Sequence, residues 1–259
     1  MKKRVLSGII ITIITVPLCL LGGLPFKIFC FLLGSLCLKE ILLLKEHHQK
    51  IPLFMEFVCL LDFFLILFLD EVTILENSKV FVLLVFSLFL PSLFYKEHYN
   101  IHDAIYLCTM VLFLGVIFKT LQLIRMRGVW YLIYIGSIPI FTDIFAMLFG
   151  NFMGRHKLIP KISPGKTVEG SIGGSVLATI LATLIYFYFI HQAPLWTVVG
   201  VTLLLSIVSQ FSDLMFSKIK RENGIKDFSH FIPGHGGVLD RMDSLMLVTL
   251  TYLWIVEFI

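Results

Sequence analysis

Residues 129–149 read VWYLIYIGSIPIFTDIFAMLF, twenty-one positions with a single charge, Asp143. A helix rises 1.5 Å per residue, so a run of this length crosses the roughly 30 Å hydrocarbon layer of a bilayer. The rest of the chain has the same character: of 259 residues, 58% are hydrophobic and 15% charged, and the mean hydropathy is +0.94. Soluble domains are about 45–50% apolar and about 25% charged, so too little polar surface is available here to cover a water-soluble globule. The same figures exclude disorder, a disulfide scaffold and a fibrous repeat. The expected fold is all-α, a polytopic transmembrane helical bundle.

With that ruler nine spans are expected, at 5–21, 28–44, 53–69, 79–95, 104–119, 129–149, 170–190, 195–212 and 243–259. The first follows Met1-Lys2-Lys3-Arg4; no small-x-small cleavage site comes after it and a second apolar run begins at once, so it reads as a retained anchor. With the N-terminus inside, fifteen basic residues fall on the inner side and five on the outer, with Lys39 unassigned near a span end. This excess selects an N-in, C-out topology. Arg125 and Arg127, in an expected outer loop at 120–128, run against the trend. Two long inner loops, 150–169 and 213–242, carry nine of the fifteen inner charges. The chain therefore divides into an N-terminal hydrophobic multi-span region, 1–128, and a C-terminal region, 129–259, in which the chemistry is concentrated. His47, His48, Asp70, Glu71 and Glu76 read as solvated surface. Cys19, Cys30, Cys37, Cys59 and Cys108 sit in apolar runs without metal-ligand spacing and read as small buried hydrophobes.

The stretch from Ser209 to Asp243 places charges and glycines between two apolar helices. Asp213 closes the eighth span, and Asp240 and Asp243, three apart at the entry of the ninth, share a helix face. Three acids beside Lys218, Lys220, Arg221, Lys226 and Arg241 suit a hard cation such as Mg²⁺, which takes oxygen ligands and retains phosphates and water. Gly234, Gly236 and Gly237 let backbone N–H groups approach an anion closely. Membrane topology needs Lys and Arg, but not three acids and a Gly-His-Gly-Gly turn as well. In the other loop, Ser163-Pro164-Gly165 is turn chemistry, and Lys166 and Thr167 stand near the start of the seventh helix, where phosphate is attracted. A P-loop is rejected, because position 160 is Pro where its spacing needs Gly. Asp143, inside a span, costs about 2.5–3.5 kcal/mol on insertion scales and so needs a partner or a watery cavity; Pro139 just before it is expected to break the helix and admit water.

The 27 residues from Ser217 to Asp243, with Lys220-Arg221, Lys226-Asp227, Pro233-Gly234-His235-Gly236-Gly237 and Asp240-Arg241-Met242-Asp243, resemble the signature of the phosphatidate cytidylyltransferase (CDP-diacylglycerol synthase) family. The stretch 161–174, Lys-Ile-Ser-Pro-Gly-Lys-Thr-Val-Glu-Gly-Ser-Ile-Gly-Gly, resembles that family's other recognisable segment. Val168, Ser212 and Ile144 depart from it, standing where Trp, Gly and a hydroxyl residue are usual. The resemblance implies that CTP and phosphatidate give CDP-diacylglycerol and pyrophosphate with Mg²⁺, at the cytoplasmic face of a bacterial inner membrane. It admits a monovalent cation such as K⁺ and a homodimer; nucleic acid is not an expected partner. On this reading Asp213 and Asp240 hold Mg²⁺, with Asp143 or Asp243 as a further ligand. Lys220, Arg221, Lys226 and Arg241 bind the triphosphate or the lipid phosphate. The 234–237 turn presents N–H groups with His235 as a donor, and Ser163, Lys166 and Thr167 close the other side of the phosphate pocket.

Two other readings compete. A CTP-dependent polyprenol or phytol kinase has a neutral alcohol acceptor and would need a base. An anion transporter would use Asp143 and the basic loops, but the chain has no detectable inverted repeat and carries a dense run of reactive residues.

Overall fold

The structure is a computed structural model that describes residues 2–46, 51–69, 78–95, 99–234 and 236–258. The expectations for His47, His48, Asp70, Glu71, Glu76 and His235 concern residues outside the described ones. Among the described residues, each predicted span overlies one helix: α1 Lys2–Leu21, α2 Gly23–Glu46, α3 Leu53–Phe68, α4 Ser78–Phe94, α5 Ile101–Arg127, α6 Val129–Met153, α7 Val168–Phe189, α8 Leu195–Glu222 and α9 Leu239–Ile255. Four of them, α5 to α8, are long and apolar enough to cross a membrane. A short antiparallel hairpin, β1 Lys157–Ile159 and β2 Ser163–Thr167, lies between α6 and α7. Of the five cysteines, all but the half-buried Cys19 are buried, as small hydrophobes should be.

Three local expectations are corrected. The predicted 120–128 loop is helix, since α5 runs through Arg127 and only Gly128 separates it from α6. No proline interrupts 101–127, and Gly128 has φ 151°, which other residues rarely adopt. Pro139 does not break α6, which continues to Met153; neighbouring helices and hydroxyl side chains commonly sustain a proline in such a helix. The predicted loops 150–169 and 213–242 are shorter than expected, because α6, α8 and α9 extend into them. Hydropathy registers only the part of a helix that is apolar, whereas the charged turns at its ends remain helical.

The chain forms two compact units, residues Met1–Leu123 with Phe228–Leu239, and residues Ile124–Asp227 with Asp240–Ile259. Residues 228–239, assigned from the sequence to the C-terminal region, thus belong with the first unit. In that first unit Phe63 packs its ring against Phe31 and Phe118, and Gly34 leaves the room in which Phe63 lies. Lys45 pairs with buried Asp103 at 2.5 Å, and buried Lys119 donates to the carbonyl of Leu69 at 2.5 Å, capping the end of α3.

The second unit is built on α6, α7, α8 and α9 around Tyr134, Ile135, Ile138, Tyr186, Leu205, Val248 and Tyr252. Glycine lets α6 and α7 approach closely: a Cβ on Gly174 would lie 2.7 Å from the amide nitrogen of Ala146, and one on Gly173 would lie 2.6 Å from the Phe149 ring. Small residues at a seam replace the hydrophobic drive that lipid cannot supply between helices. Hydroxyls join α6, α7 and α8 in a buried ladder. Tyr134 Oη meets Thr202 Oγ1 at 2.7 Å, and Thr142 Oγ1 meets Ser206 Oγ at 2.7 Å. Ser206 Oγ donates to Ser175 Oγ at 3.2 Å, and Gln210 Nε2 donates to that same hydroxyl at 2.7 Å. At one end of the unit Tyr131 Oη donates to Gln192 Oε1 at 2.6 Å, while Arg127 reaches Tyr252 Oη and the Val256 carbonyl, both at 3.1 Å.

Candidate active site

The carboxylates of the second unit owe their positions to helix periodicity. Asp213 and Lys220 are seven residues apart on α8, hence two turns apart on one face. The helix ends soon after: Gly224 turns left-handed (φ 67°), with Ile225 N–H bonded to the Lys220 carbonyl and Gly224 N–H to that of Arg221. Lys220 and Arg221 in this last turn complement the helix dipole. On α9 the three-residue spacing puts Asp240 and Asp243 side by side, and buried Lys220 binds both, at 2.7 and 3.6 Å. Ser212, where the resembled family usually has Gly, joins the two helices: its hydroxyl donates to the Asp243 carbonyl and accepts from Leu247 N–H at 3.3 Å.

The hairpin supplies the opposite wall. Thr167 caps α7, its hydroxyl accepting from Gly170 N–H at 3.2 Å. Glu169, in the first turn, binds the Arg155 and His156 amides and the His156 ring (Nδ1 at 2.6 Å), and Val168 N–H bonds the His156 carbonyl. The two ends of the 156–167 segment are thereby held together, and Lys166 forms an ion pair with Asp213.

These groups line one cavity of about 620 Å³, which holds Asp143, Ser163, Lys166, Thr167, Asp213, Lys220, Asp240, Arg241 and Asp243 among its walls. Asp143 has both companions that its place in a span requires, the cavity and Ser244, whose hydroxyl donates to it at 3.0 Å. Ser171, Gln210 and Ser244, to which the sequence assigns no role, also line the cavity; hydroxyl and amide residues inside apolar helices are the signal that marks them. Two predicted residues of this unit do not line it. Arg221 is exposed and donates to the Ile225 carbonyl at 3.1 Å, closing α8, and Lys226 is exposed. Gly234, Gly236 and Gly237 belong to the first unit. Gly234 and Gly236 are left-handed (φ 80° and 86°), and Ile232 N–H bonds the Gly236 carbonyl.

The oxygen donors around the cavity, four carboxylates and the hydroxyls of Ser163, Thr167, Ser171 and Ser244, are of the type a hard divalent ion takes. Among the described residues no three His, Cys, Asp or Glu side chains converge tightly enough to hold an ion. Asp213, Asp240 and Asp243 are each paired with a lysine instead.

The sequence pattern of the cytidylyltransferase family matches residues 2–259. This chain belongs to the cytidylyltransferase family. Similar curated proteins include the phosphatidate cytidylyltransferases of Staphylococcus aureus (strain COL), 35% identical over 249 residues, and Staphylococcus haemolyticus (strain JCSC1435), 34% identical over 249 residues, with 96% of both chains covered in each case. That of Staphylococcus saprophyticus is 34% identical over 251 residues, again covering 96% of each chain. The cavity of this chain is lined by charges of both signs, Lys166, Lys220 and Arg241 together with four carboxylates.

Proposed function

We propose that this chain transfers the cytidylyl group of CTP to phosphatidate, releasing pyrophosphate and forming CDP-diacylglycerol for phospholipid synthesis. The observation that carries this reading is the one cavity where Lys166, Lys220 and Arg241 stand among four carboxylates. A phosphate monoester has a second pKa of about 6, so phosphatidate is mostly a dianion at neutral pH and needs no strong base. Its oxygen bonds to the α-phosphorus of CTP, and the bond from that phosphorus to the β-phosphate oxygen breaks, pyrophosphate leaving with the electron pair.

The obstacle is repulsion between two anions. Two unit charges 4 Å apart still interact by about 4 kcal/mol at an effective dielectric of about 20. Cationic groups fixed in advance around the reacting phosphates offset this without reorganising during the reaction. Lys166, Lys220 and Arg241 are assigned that role, and Ser163 and Thr167 donate hydrogen bonds from the hairpin side. Asp213, Asp240 and Asp243, with Asp143, would hold Mg²⁺. When bound, the metal would neutralise phosphate charge and orient the departing pyrophosphate. Lys166 and Lys220 would then turn from the carboxylates toward phosphate oxygens.

The same reading has all nine helices crossing a bacterial inner membrane, N-terminus inside, with the cavity open to the cytoplasm. The bonds of Arg127 to Tyr252 and Val256 support it. They account for a cation at the outer end, where charge counting alone leaves it anomalous. The test is a membrane or detergent preparation given phosphatidate, Mg²⁺ and CTP labelled at the α- or the γ-phosphate. Only α-label should enter lipid, with one pyrophosphate released per transfer. Entry of γ-label would identify a kinase, and no entry of either would defeat the proposal.

A further inference from the structure

Glu40 lies within the apolar helix α2, and only 4% of its surface is exposed. Its carboxylate is engaged by residues almost two hundred positions later. Oε1 accepts from the Ser229 hydroxyl at 2.6 Å and from Val238 N–H at 2.8 Å, and Oε2 accepts from Leu239 N–H at 2.8 Å. Gly237 faces the same group: a Cβ there would lie 2.7 Å from both oxygens. All of these residues belong to the first unit.

Burying a carboxylate is costly unless hydrogen bonds satisfy it, and here three donors from one segment do so. The segment brackets the Pro233-Gly234-His235-Gly236-Gly237 turn. Glycines give such a turn its left-handed positions but also the largest loss of conformational freedom on ordering, so an outside restraint matters most there. The carboxylate also meets the N–H groups at the start of α9, where negative charge opposes the helix dipole. It thus acts as a cap borrowed from another helix.

We propose that Glu40 is a positioning residue: by holding Ser229, Val238 and Leu239 it fixes where α9 begins, and with it the setting of Asp240, the next residue, in the cavity wall. Glu40 does not itself touch the substrate. The role rests on the function proposed above. It also assigns a separate reason for glycine at 237, namely room for the Glu40 carboxylate.

The test uses the full chain in detergent, comparing the parent with Glu40→Ala, Glu40→Gln, Gly237→Ala and the Glu40→Ala/Gly237→Ala double variant. Loss of a hydrogen-bonded charge predicts roughly a tenfold or larger rise in the KM for CTP in Glu40→Ala. Glu40→Gln, which keeps one acceptor oxygen, should recover part of it. A merely destabilised protein would instead lose active molecules and lower Vmax at unchanged KM. Hydrogen exchange at the Val238 and Leu239 amides should quicken in Glu40→Ala and Gly237→Ala. The double variant should be no worse than Glu40→Ala, because the added methyl then has room. Unchanged KM and unchanged exchange in the Glu40 variants would overturn the assignment, as would fully additive effects in the double variant. If Glu40→Ala does not fold, Glu40→Gln and Gly237→Ala decide by the same readouts. Failure of the functional reading would show separately, as absent α-label transfer by the parent chain, while amide exchange would still report on Glu40.

Discussion

Lys220 is a buried cation whose two partners lie on the next helix, and its removal leaves two carboxylates facing each other. Breaking a buried ion pair from one side costs about 3–5 kcal/mol, since the remaining charge has lost its compensation. Lys220→Met should therefore lower thermal stability in detergent as well as turnover, and addition of Mg²⁺ should restore part of the stability. Asp213 has the opposite profile: it is partly open to the cavity, and its partner Lys166 stands on the hairpin. Asp213→Asn should leave the melting temperature nearly unchanged but reduce Mg²⁺-dependent CMP transfer by about 100-fold or more. Near-normal transfer would remove Asp213 from the proposed metal site. Both residues stand out in the sequence because charge beside an apolar run demands an explanation. Glu40 does not, for within α2 it looks like one more charge near Lys39 and Lys45.

Helix ends and helix seams are read with different success. Apolar length located α1 to α9, because crossing a hydrocarbon layer is a property of one segment alone. It missed the charged turns that carry α5 to Arg127 and α8 to Glu222, as hydropathy falls there while helical hydrogen bonding continues. Close approach of α6 and α7 is not legible in the sequence, where Gly170, Gly173 and Gly174 stand only as part of a family resemblance. Helix α6 explains them: a Cβ at Gly170 would meet Ala146 O at 2.5 Å, one at Gly173 the Phe149 ring at 2.6 Å, and one at Gly174 Ala146 N at 2.7 Å and Thr142 O at 2.8 Å. Gly174→Ala should destabilise the protein by about 1–3 kcal/mol through forced separation of the two helices. Gly136→Ala, on α6 with nothing within 4 Å of the added methyl, should be neutral or stabilising by up to about 1 kcal/mol. Thermal unfolding of the two purified variants in detergent gives the comparison, and equal losses would refute the seam.

For the molecule as a whole, the proposed topology makes the two ends of the second unit unequal. Arg127, Tyr131, Gln192 and Tyr252 are joined at one end, and the cavity with its lysines occupies another part of the unit. A reporter fused after residue 259 should accordingly be active as a phosphatase and dark as a fluorescent protein, whereas one inserted at 224–227 should show the reverse. Matching signals at both sites would reject the N-in, C-out arrangement. Composition alone pointed to a helical membrane protein, and the run from Ser217 to Asp243 carried the family resemblance, because both depend on residues near one another in the chain. The partnership of Lys166 with Asp213, the hydroxyl ladder that ends at Gln210, and the hold of Glu40 on a turn nearly two hundred residues away arose only on folding. Lipid and protein interior are almost equally apolar, so hydropathy says where helices are and leaves undetermined which faces meet.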